Sequence, residues 1–110
     1  MVSALVAQDG TTALATGLAE LDRVHWATPV RLPGAPVVVA RRDPSGARWA
    51  CLAQEGRAQH VQIRDPAGGV LGEARLEPAA QLEKLLWSTS LPNHVWGIGV
   101  HAIAGISLKD

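Results

Sequence analysis

The chain has 110 residues, of which 47% are hydrophobic and 18% are charged, a composition that fits one folded domain over residues 1–110 and excludes an intrinsically disordered chain. Ten Lys and Arg residues balance ten Asp and Glu residues, so bulk electrostatic attraction to nucleic acid or to an anionic membrane is not expected. Phe and Tyr are absent, and a core of Leu, Val, Ala and Ile buries less area per residue, so association with another chain would add stability.

The cysteine content and the hydrophobic segments bear on location. Cys51 is the single cysteine, so no internal disulfide can form and no oxidising compartment is indicated. The N-terminus lacks a basic segment followed by an apolar run, and the longest apolar-rich segment, residues 95–108, is interrupted by Gly and His and is too short for a membrane-spanning helix. The sequence therefore predicts a soluble cytoplasmic protein without a membrane partner.

Residues 1–23 fit two interpretations. Asp9-Gly10 separates two apolar-rich segments and is typical of a two-residue hairpin turn, because both positions tolerate positive φ. Helical spacing is seen instead for four side chains in this Ala-rich stretch: Leu14, Leu18, Leu21 and His25. We predict a short leading strand followed by a helix over Ala13–Val24. Three prolines in residues 26–36 then allow at most a short edge strand at Val30–Leu32.

Residues 36–77 carry the most distinctive pattern, two β-hairpins in tandem. In the first, Asp43-Pro-Ser-Gly is typical of a type I turn, and taking these four residues as the loop pairs Arg42 with Ala47 and Ala40 with Trp49. Both faces are then apolar: Val38, Ala40, Trp49 and Cys51 lie on one, and Val37, Val39, Ala50 and Leu52 on the other. Strands with two apolar faces are interior strands, so another layer must cover each face.

The second hairpin turns at Asp65-Pro-Ala-Gly-Gly and has one apolar face. A loop over residues 66–69 gives these pairs: Ile63 with Gly72, Val61 with Ala74, Gln62 with Glu73 and His60 with Arg75. The other face is polar and carries His60, Gln62, Arg64, Glu73 and Arg75. We interpret it as a solvated sheet surface whose charge pairs contribute roughly a few tenths of a kcal/mol each.

The last third of the chain completes the predicted fold. Pro78 suits the first turn of a helix, and the spacing of Ala79, Leu82, Leu85 and Leu86 predicts a helix over Ala79–Ser88. Residues 94–108 are expected to form one long strand or two short ones that extend the sheet. The predicted fold class is α+β: an antiparallel β-meander of four to six strands with one or two short helices packed on one face.

Motifs that would carry chemistry are missing or lack their context. Gly97-Ile-Gly-Val-His-Ala matches the dinucleotide pattern G-x-G-x-x-A, but only eight residues follow it, so the required helix and acidic ligand cannot follow. The four histidines show no metal-ligand spacing. Cys51 is predicted on an apolar face, where a thiol is inert. The sequence therefore predicts no catalytic, metal-binding or cofactor-binding residue and no cofactor.

The remaining candidates are Arg and Trp side chains, which are enriched at protein interfaces. The candidate interface residues are Arg41, Arg48, Trp49, Arg64, Trp87 and Trp96. We expect a non-enzymatic protein-interaction or assembly module, either a homo-oligomer or a small subunit of a larger complex, because a two-sided apolar sheet and near-zero net charge favour association.

Two other functions remain as alternatives. The first is a nucleic-acid-binding domain that would use an Arg and Trp sheet surface formed by Arg41, Arg48, Trp49 and Arg64. The second is a small ligand-binding protein or enzyme with a pocket between sheet and helix, which would use His60, Glu73 or His101. Nucleic acid is the weaker partner prediction, since neither net positive charge nor further aromatic residues support it.

Overall fold

The computed structural model describes residues 2–8, 11–76, 81–91 and 93–107. Within those ranges it contains eleven strands and no helix, and therefore no helix long and apolar enough to cross a membrane. The strands are β1 (Val2–Gln8), β2 (Thr11–Glu20), β3 (Arg23–Trp26), β4 (Val30–Leu32), β5 (Val37–Arg42), β6 (Trp49–Glu55), β7 (Ala58–Arg64), β8 (Val70–Arg75), β9 (Leu82–Trp87), β10 (His94–Gly99) and β11 (Ile103–Ser107).

These strands form three antiparallel sheets that follow the chain. In the N-terminal sheet, β2 pairs with β1 and also with β3 and β4. The central sheet has the order β5-β6-β7-β8, and the C-terminal sheet has the order β11-β10-β9. Each sheet is therefore built mainly from strands adjacent in sequence.

The central sheet lies between the other two. On β6, Ala50 and Leu52 contact the C-terminal sheet, while the alternate residues point to the N-terminal sheet. The C-terminal core consists of Ala50, Leu52, Val61, Ile63, Leu82, Leu85, Val95 and Ile106. The N-terminal core consists of Leu14, Leu32, Val37, Ala40, Trp49, Cys51 and Ala53. Both faces of the first hairpin are thus covered, as its two-sided apolar pattern requires.

The α+β prediction is wrong, and the first helix shows why. Ala13–Val24 covers most of β2, the turn that follows it and the first half of β3. Leu14 is buried whereas Leu18 is exposed, so the helical spacing does not mark one buried face. Gly17 allows β3 to approach closely, because a Cβ there would lie 2.7 Å from a Val24 methyl carbon.

The alternative interpretation of the N-terminus, a hairpin, agrees with the strand register. Gln8 pairs with Thr11 and Leu5 pairs with Leu14, so the connection between β1 and β2 has two residues. The predicted turn residues, Asp9 and Gly10, lie outside the described residues. The predicted short strand at Val30–Leu32 is confirmed as β4.

The second predicted helix, Ala79–Ser88, is also wrong over its described part, which forms β9. Lys84 pairs with Ile98 and Leu82 pairs with Gly99, so the register shifts by one residue at this point. This β-bulge lets Leu82 and Leu85 both face the core although they are three residues apart. The bulge therefore reproduces the spacing of a helical face. Residues 77–80, including Pro78 and Ala79, lie outside the described residues.

The C-terminal region forms two short strands rather than one long strand. β10 and β11 pair in an antiparallel hairpin that the Gly99 amide closes by donating to the Ala102 carbonyl. Together with β9 they form a third sheet instead of extending the central one. Leu108, which was included in the predicted strand, lies outside the described residues.

The first hairpin keeps its predicted turn and faces but not its register. Arg42 pairs with Trp49, a shift of two residues, because Asp43 also pairs with Arg48 through its amide. A shift of two preserves the face of each side chain. The exceptions are Val37 and Val38. A bulge at this position places Val37 in the N-terminal core, on the face predicted for Val38, and leaves Val38 50% exposed.

Candidate protein interface

The six candidate residues do not form one surface. Trp49 is buried in the N-terminal core, and Arg64 is only 1% exposed. Arg41 is exposed at the end of β5. Arg48 and Trp87 contact each other at the tip of the first hairpin, while Trp96 lies on the far side of the C-terminal sheet. The structure therefore separates the candidates into a buried pair, a cluster at the hairpin tip, and one exposed tryptophan.

The cluster at the hairpin tip connects the central sheet to the C-terminal sheet. The Arg48 guanidinium contacts the Asp43 carboxylate at 2.8 Å, donates to Asn93 Oδ1 at 2.8 Å, and lies 5.0 Å from the centroid of the Trp87 ring. Trp87 Nε1 in turn donates to the Arg41 carbonyl at 2.9 Å. Arg48 and Trp87 thus stabilise the packing of two layers.

Asp43 is held ionised by this cluster. Burial by itself would raise the pKa of its carboxyl, but hydrogen bonds from the Ser45 amide and from Arg48, together with the Arg48 charge, hold the pKa below its ordinary value. The Asp43 side chain also accepts the Ser45 amide at 2.8 Å, as the first residue of such a turn commonly does. The ion pair is therefore internal and leaves little charge for a partner.

Arg64 belongs to a hydrogen-bond network, and its predicted exposure is wrong. The second hairpin has the four predicted pairs, yet the connection before β5 covers part of its polar face. Arg64 donates to the carbonyls of Gly68 and Pro33 at 2.7 and 2.8 Å and to Gln62 Oε1 at 2.8 Å. Its partners are all neutral oxygens, so Arg64 fastens the central sheet to the segment that leads out of the N-terminal sheet.

The exposed end of the same network contains the His60 and Glu73 pair. His60 Nδ1 and Glu73 Oε1 are 2.8 Å apart, and Gln62 Nε2 donates to the other Glu73 oxygen at 3.1 Å. The hydrogen bond with His60, followed by that from Gln62, lowers the pKa of Glu73. These contacts continue the chain of hydrogen bonds from Arg64 to solvent.

Trp96 lies on the outer face of the C-terminal sheet, opposite the C-terminal core. Residues that pair across β9, β10 and β11 share this face in two rows: Lys84, Ile98 and Ile103 in one, and Leu86, Trp96 and Gly105 in the other. We call these six residues the outer face. Trp96 is 38% exposed, Leu86 is 48% exposed and Ile103 is 74% exposed. The outer face is therefore a contiguous apolar surface with one charged residue at its margin.

Two aromatic rings pack over Gly105 on this face. His94 and Trp96 meet edge to face with centroids 4.6 Å apart. A Cβ at Gly105 would lie 3.0 Å from the Trp96 ring and 3.1 Å from His94 Nε2, so the glycine makes room for both rings. His94 Nε2 is buried in this contact and has no hydrogen-bond partner among the described residues. The tryptophan is consequently held against the sheet.

The edge of the C-terminal sheet beside the outer face is unprotected. β11 has the sequence Ile103-Ala-Gly-Ile-Ser, with neither charge nor proline. The edge strands β5, β8 and β9 each carry charged side chains, which are the usual protection against unwanted pairing. Of the edge strands described, β1 is the other one that lacks a charge. An apolar face next to an uncharged edge favours association.

Of the residues on the outer face, Trp96 was predicted from the sequence as an interface residue, whereas Leu86, Ile98 and Ile103 were not. The alternation of residues 94–108 was visible, but which parity faces outward depends on the turn at residues 100–102 and on the bulge between Leu82 and Lys84 in β9. Once the turn is known, the pairing of Trp96 with Gly105 indicates an aromatic ring packed over a cross-strand glycine.

The described residues offer little for metal or thiol chemistry. They contain no group of three His, Cys, Asp or Glu side chains arranged to hold a metal ion. Cys51 is buried as predicted, and burial raises the pKa of its thiol to about 11, so the thiol is protonated at neutral pH.

Comparison with known proteins identifies no family for this chain. No protein-family model, curated protein or solved structure matches the chain.

Proposed function

We propose that this protein is an interaction module that self-associates through the outer face of the C-terminal sheet. The observation that carries the proposal is the apolar surface formed by the exposed side chains of Leu86, Trp96 and Ile103 together with the half-buried Ile98. Exposed apolar surfaces of this kind mark association sites, and a tryptophan packed against its own sheet is a preorganised anchor of the type found at binding hot spots.

A second copy of the chain is the partner that fits this surface best. A two-fold dimer brings the same surface of each copy together, and the outer face suits such contact because its centre is uncharged and Lys84 lies at its margin. The formal net charge of zero removes overall repulsion between copies. Two sheets stacked face to face at about 10 Å would bury both Trp96 rings.

The proposal keeps two expectations from the sequence. A small subunit of a larger complex would use the same face against a different chain, and a cytoplasmic location is favoured by the single buried thiol. A nucleic-acid surface has less support, because Trp49 and Arg64 are buried and Arg48 is ion-paired with Asp43.

Sedimentation equilibrium tests the proposal directly. We expect the wild-type chain at about 100 µM to have twice the 11.6 kDa monomer mass. Ile103→Glu is expected to weaken the dimer at least about tenfold, or about 1.4 kcal/mol, because it places a charge in an apolar contact.

Leu21→Glu is the matched control. Leu21 is a fully exposed leucine in the turn between β2 and β3, so the same kind of change there should leave the dimer intact. A monomer mass for the wild type, or equal dissociation constants for the Ile103 and Leu21 variants, would rule out the outer face as a self-association surface.

A further inference from the structure

The C-terminal sheet ends at β11, and this edge has room for a further strand. Within the described sheets β11 pairs with β10 alone, and no other described strand comes alongside it. The other uncharged edge strand, β1, lies alongside β5, so its edge faces a strand of the same chain. The edge strand β8 carries Glu73 and Arg75. Of the described edges, β11 is therefore the one that is both uncharged and open.

The hydrogen-bond pattern shows which main-chain groups of β11 lie at this edge. The Gly99 amide donates to the Ala102 carbonyl across the turn that joins β10 to β11. The His94 carbonyl, opposite Ser107, instead accepts from the amide of Ser88, the residue after β9. Because bonded and non-bonded pairs alternate along antiparallel strands, every second residue of β11 directs its N–H and C=O away from β10. These outward-pointing residues are Ile103, Gly105 and Ser107.

A second copy of β11 matches this edge in one register. Antiparallel pairing about a two-fold axis at Gly105 places Gly105 opposite its own copy and Ile103 opposite Ser107. Every outward-pointing residue then meets another, so roughly six main-chain hydrogen bonds form. Any other register leaves an outward-pointing residue of each copy without such a partner in β11. The edge is therefore self-complementary.

The side chains beside the edge fit the same register. A two-fold axis perpendicular to the sheet keeps the outer faces of both copies on one side. Trp96 pairs with Gly105, so the row across the joined sheets has two glycines at its centre and a Trp96 ring on each side. No side chain stands between the two rings. The apolar surface thus becomes continuous from one copy to the other.

We propose that β11 pairs with β11 of a second copy, in the register centred on Gly105, and joins two C-terminal sheets into one continuous antiparallel sheet. The contact uses main-chain groups at the edge of the sheet, whereas the self-association proposed above uses side chains on its face. Neither contact needs the other. Where both form, two joined sheets stack through their combined outer faces.

Amide hydrogen exchange, measured for single residues by NMR, tests the pairing. Between about 10 µM and about 1 mM wild-type chain, we expect exchange at the amides of Ile103, Gly105 and Ser107 to slow at least about tenfold. Stacking of the outer faces gives these amides no acceptor, so it does not produce this effect. Equal exchange rates at both concentrations would overturn the proposal.

A proline at the edge provides the matched variants. Ser107→Pro removes an amide that points away from β10, and an edge strand tolerates proline at such a position. Ser107→Ala keeps the amide and removes only the hydroxyl. We expect the concentration dependence of Gly105 exchange to disappear in Ser107→Pro and to remain in Ser107→Ala. The same slowing of Gly105 exchange in both variants would also rule out the pairing.

Sedimentation equilibrium separates this proposal from self-association through the outer face. With both contacts, the wild type at about 1 mM should approach four times the 11.6 kDa monomer mass. Leu86→Glu places a charge on the outer face two strands away from β11, so this variant should stop at twice the monomer mass and keep the slowed exchange at Gly105. Ser107→Pro should also stop at twice the monomer mass, without slowed exchange.

The two possible failures give different results. If the outer face does not associate, the wild type stops at twice the monomer mass, Gly105 exchange still slows with concentration, and Ser107→Pro is a monomer. If β11 does not pair, the wild type also stops at twice the monomer mass, but Gly105 exchange is independent of concentration. The second result overturns the present proposal and leaves the outer-face dimer intact.

Discussion

The two faces of the central sheet are covered in different ways. The C-terminal core is aliphatic throughout, and at its end Gln59 exchanges two hydrogen bonds with the main chain of Leu82. The N-terminal core is smaller, includes Trp49, and ends at an open cleft between β1 and β5. The C-terminal sheet thus packs closely on the central sheet, and we call it the sealed layer. The N-terminal sheet packs on the central sheet along part of its length, and we call it the attached layer. The exposed apolar surface of the sealed layer is its outer face, whereas the attached layer leaves a cleft where it meets the central sheet.

Truncating one leucine in each core measures this difference. Leu85→Ala should destabilise the protein by about 2–5 kcal/mol, because Leu85 is fully buried in the C-terminal core and a closed cavity would remain. Leu14→Ala should cost less, because Leu14 lines the open cleft between β1 and β5 and water can enter the space it leaves. Urea unfolding of both variants gives the two values, and a larger loss for Leu14→Ala would contradict the distinction between the sealed and the attached layer.

Arg64→Met tests the polar attachment on the N-terminal side. The change keeps side-chain volume but removes the donors to the carbonyls of Pro33 and Gly68 and to Gln62 Oε1. We expect a loss of about 2–3 kcal/mol from the buried acceptors left unsatisfied. Arg75→Met, an exposed change on the neighbouring strand, is the control. Urea unfolding that shows equal stability for both variants would mean that Arg64 does not attach the layer.

Thr12→Val removes a single hydrogen bond between the N-terminal sheet and the central sheet. Thr12 Oγ1 accepts the Val37 amide at 3.0 Å in a buried position, so the variant leaves that amide without a partner. We expect a loss of about 1 kcal/mol. Hydrogen exchange should also become faster at the Val37 amide, with little change at amides of β10. An unchanged exchange rate at Val37 would show that this hydrogen bond does not contribute.

The smallest expected effect concerns pH. The pKa values of Asp43 and Glu73 are lowered from 3.8 and 4.5, so their contribution to stability is present above those ordinary values and is lost as pH falls through the lower folded values. Asp43→Asn should lower stability by less than about 1 kcal/mol at neutral pH. The difference from wild type should shrink in thermal unfolding as pH falls below the ordinary value of 3.8, and a constant difference would exclude the ion pair as its cause.

Local turn chemistry made part of the fold predictable from sequence. Asp43-Pro-Ser-Gly and Asp65-Pro-Ala-Gly-Gly determine where two hairpins turn, and the second one then has its predicted register. The two apolar faces of the first hairpin indicated a layer on each side. What covers those faces could not be read from the sequence. The bulge beside Leu82 gives the buried residues of β9 a helix-like spacing, and the leucines at helical spacing in β2 include Leu18, which is exposed.

The candidate surfaces were predictable to a smaller extent. Trp96 was recognised by residue type and lies on the outer face, the surface proposed for self-association. Arg48, Arg64 and Trp87 were chosen by the same criterion but make internal contacts. Residue type therefore identifies side chains capable of strong contacts, while tertiary structure decides whether the partner is internal or external.

The double coverage of β6 has a consequence for the chain before it folds. Its first five residues, Trp49-Ala-Cys-Leu-Ala, are all buried and uncharged, so during synthesis they form an uninterrupted apolar segment of the type that pairs with other unfolded chains. Arg48 and Glu55 flank this segment. Charged residues at such positions act as gatekeepers against aggregation. Arg48 thus occupies a gatekeeper position in the unfolded chain and contacts Asp43 and Trp87 in the folded protein.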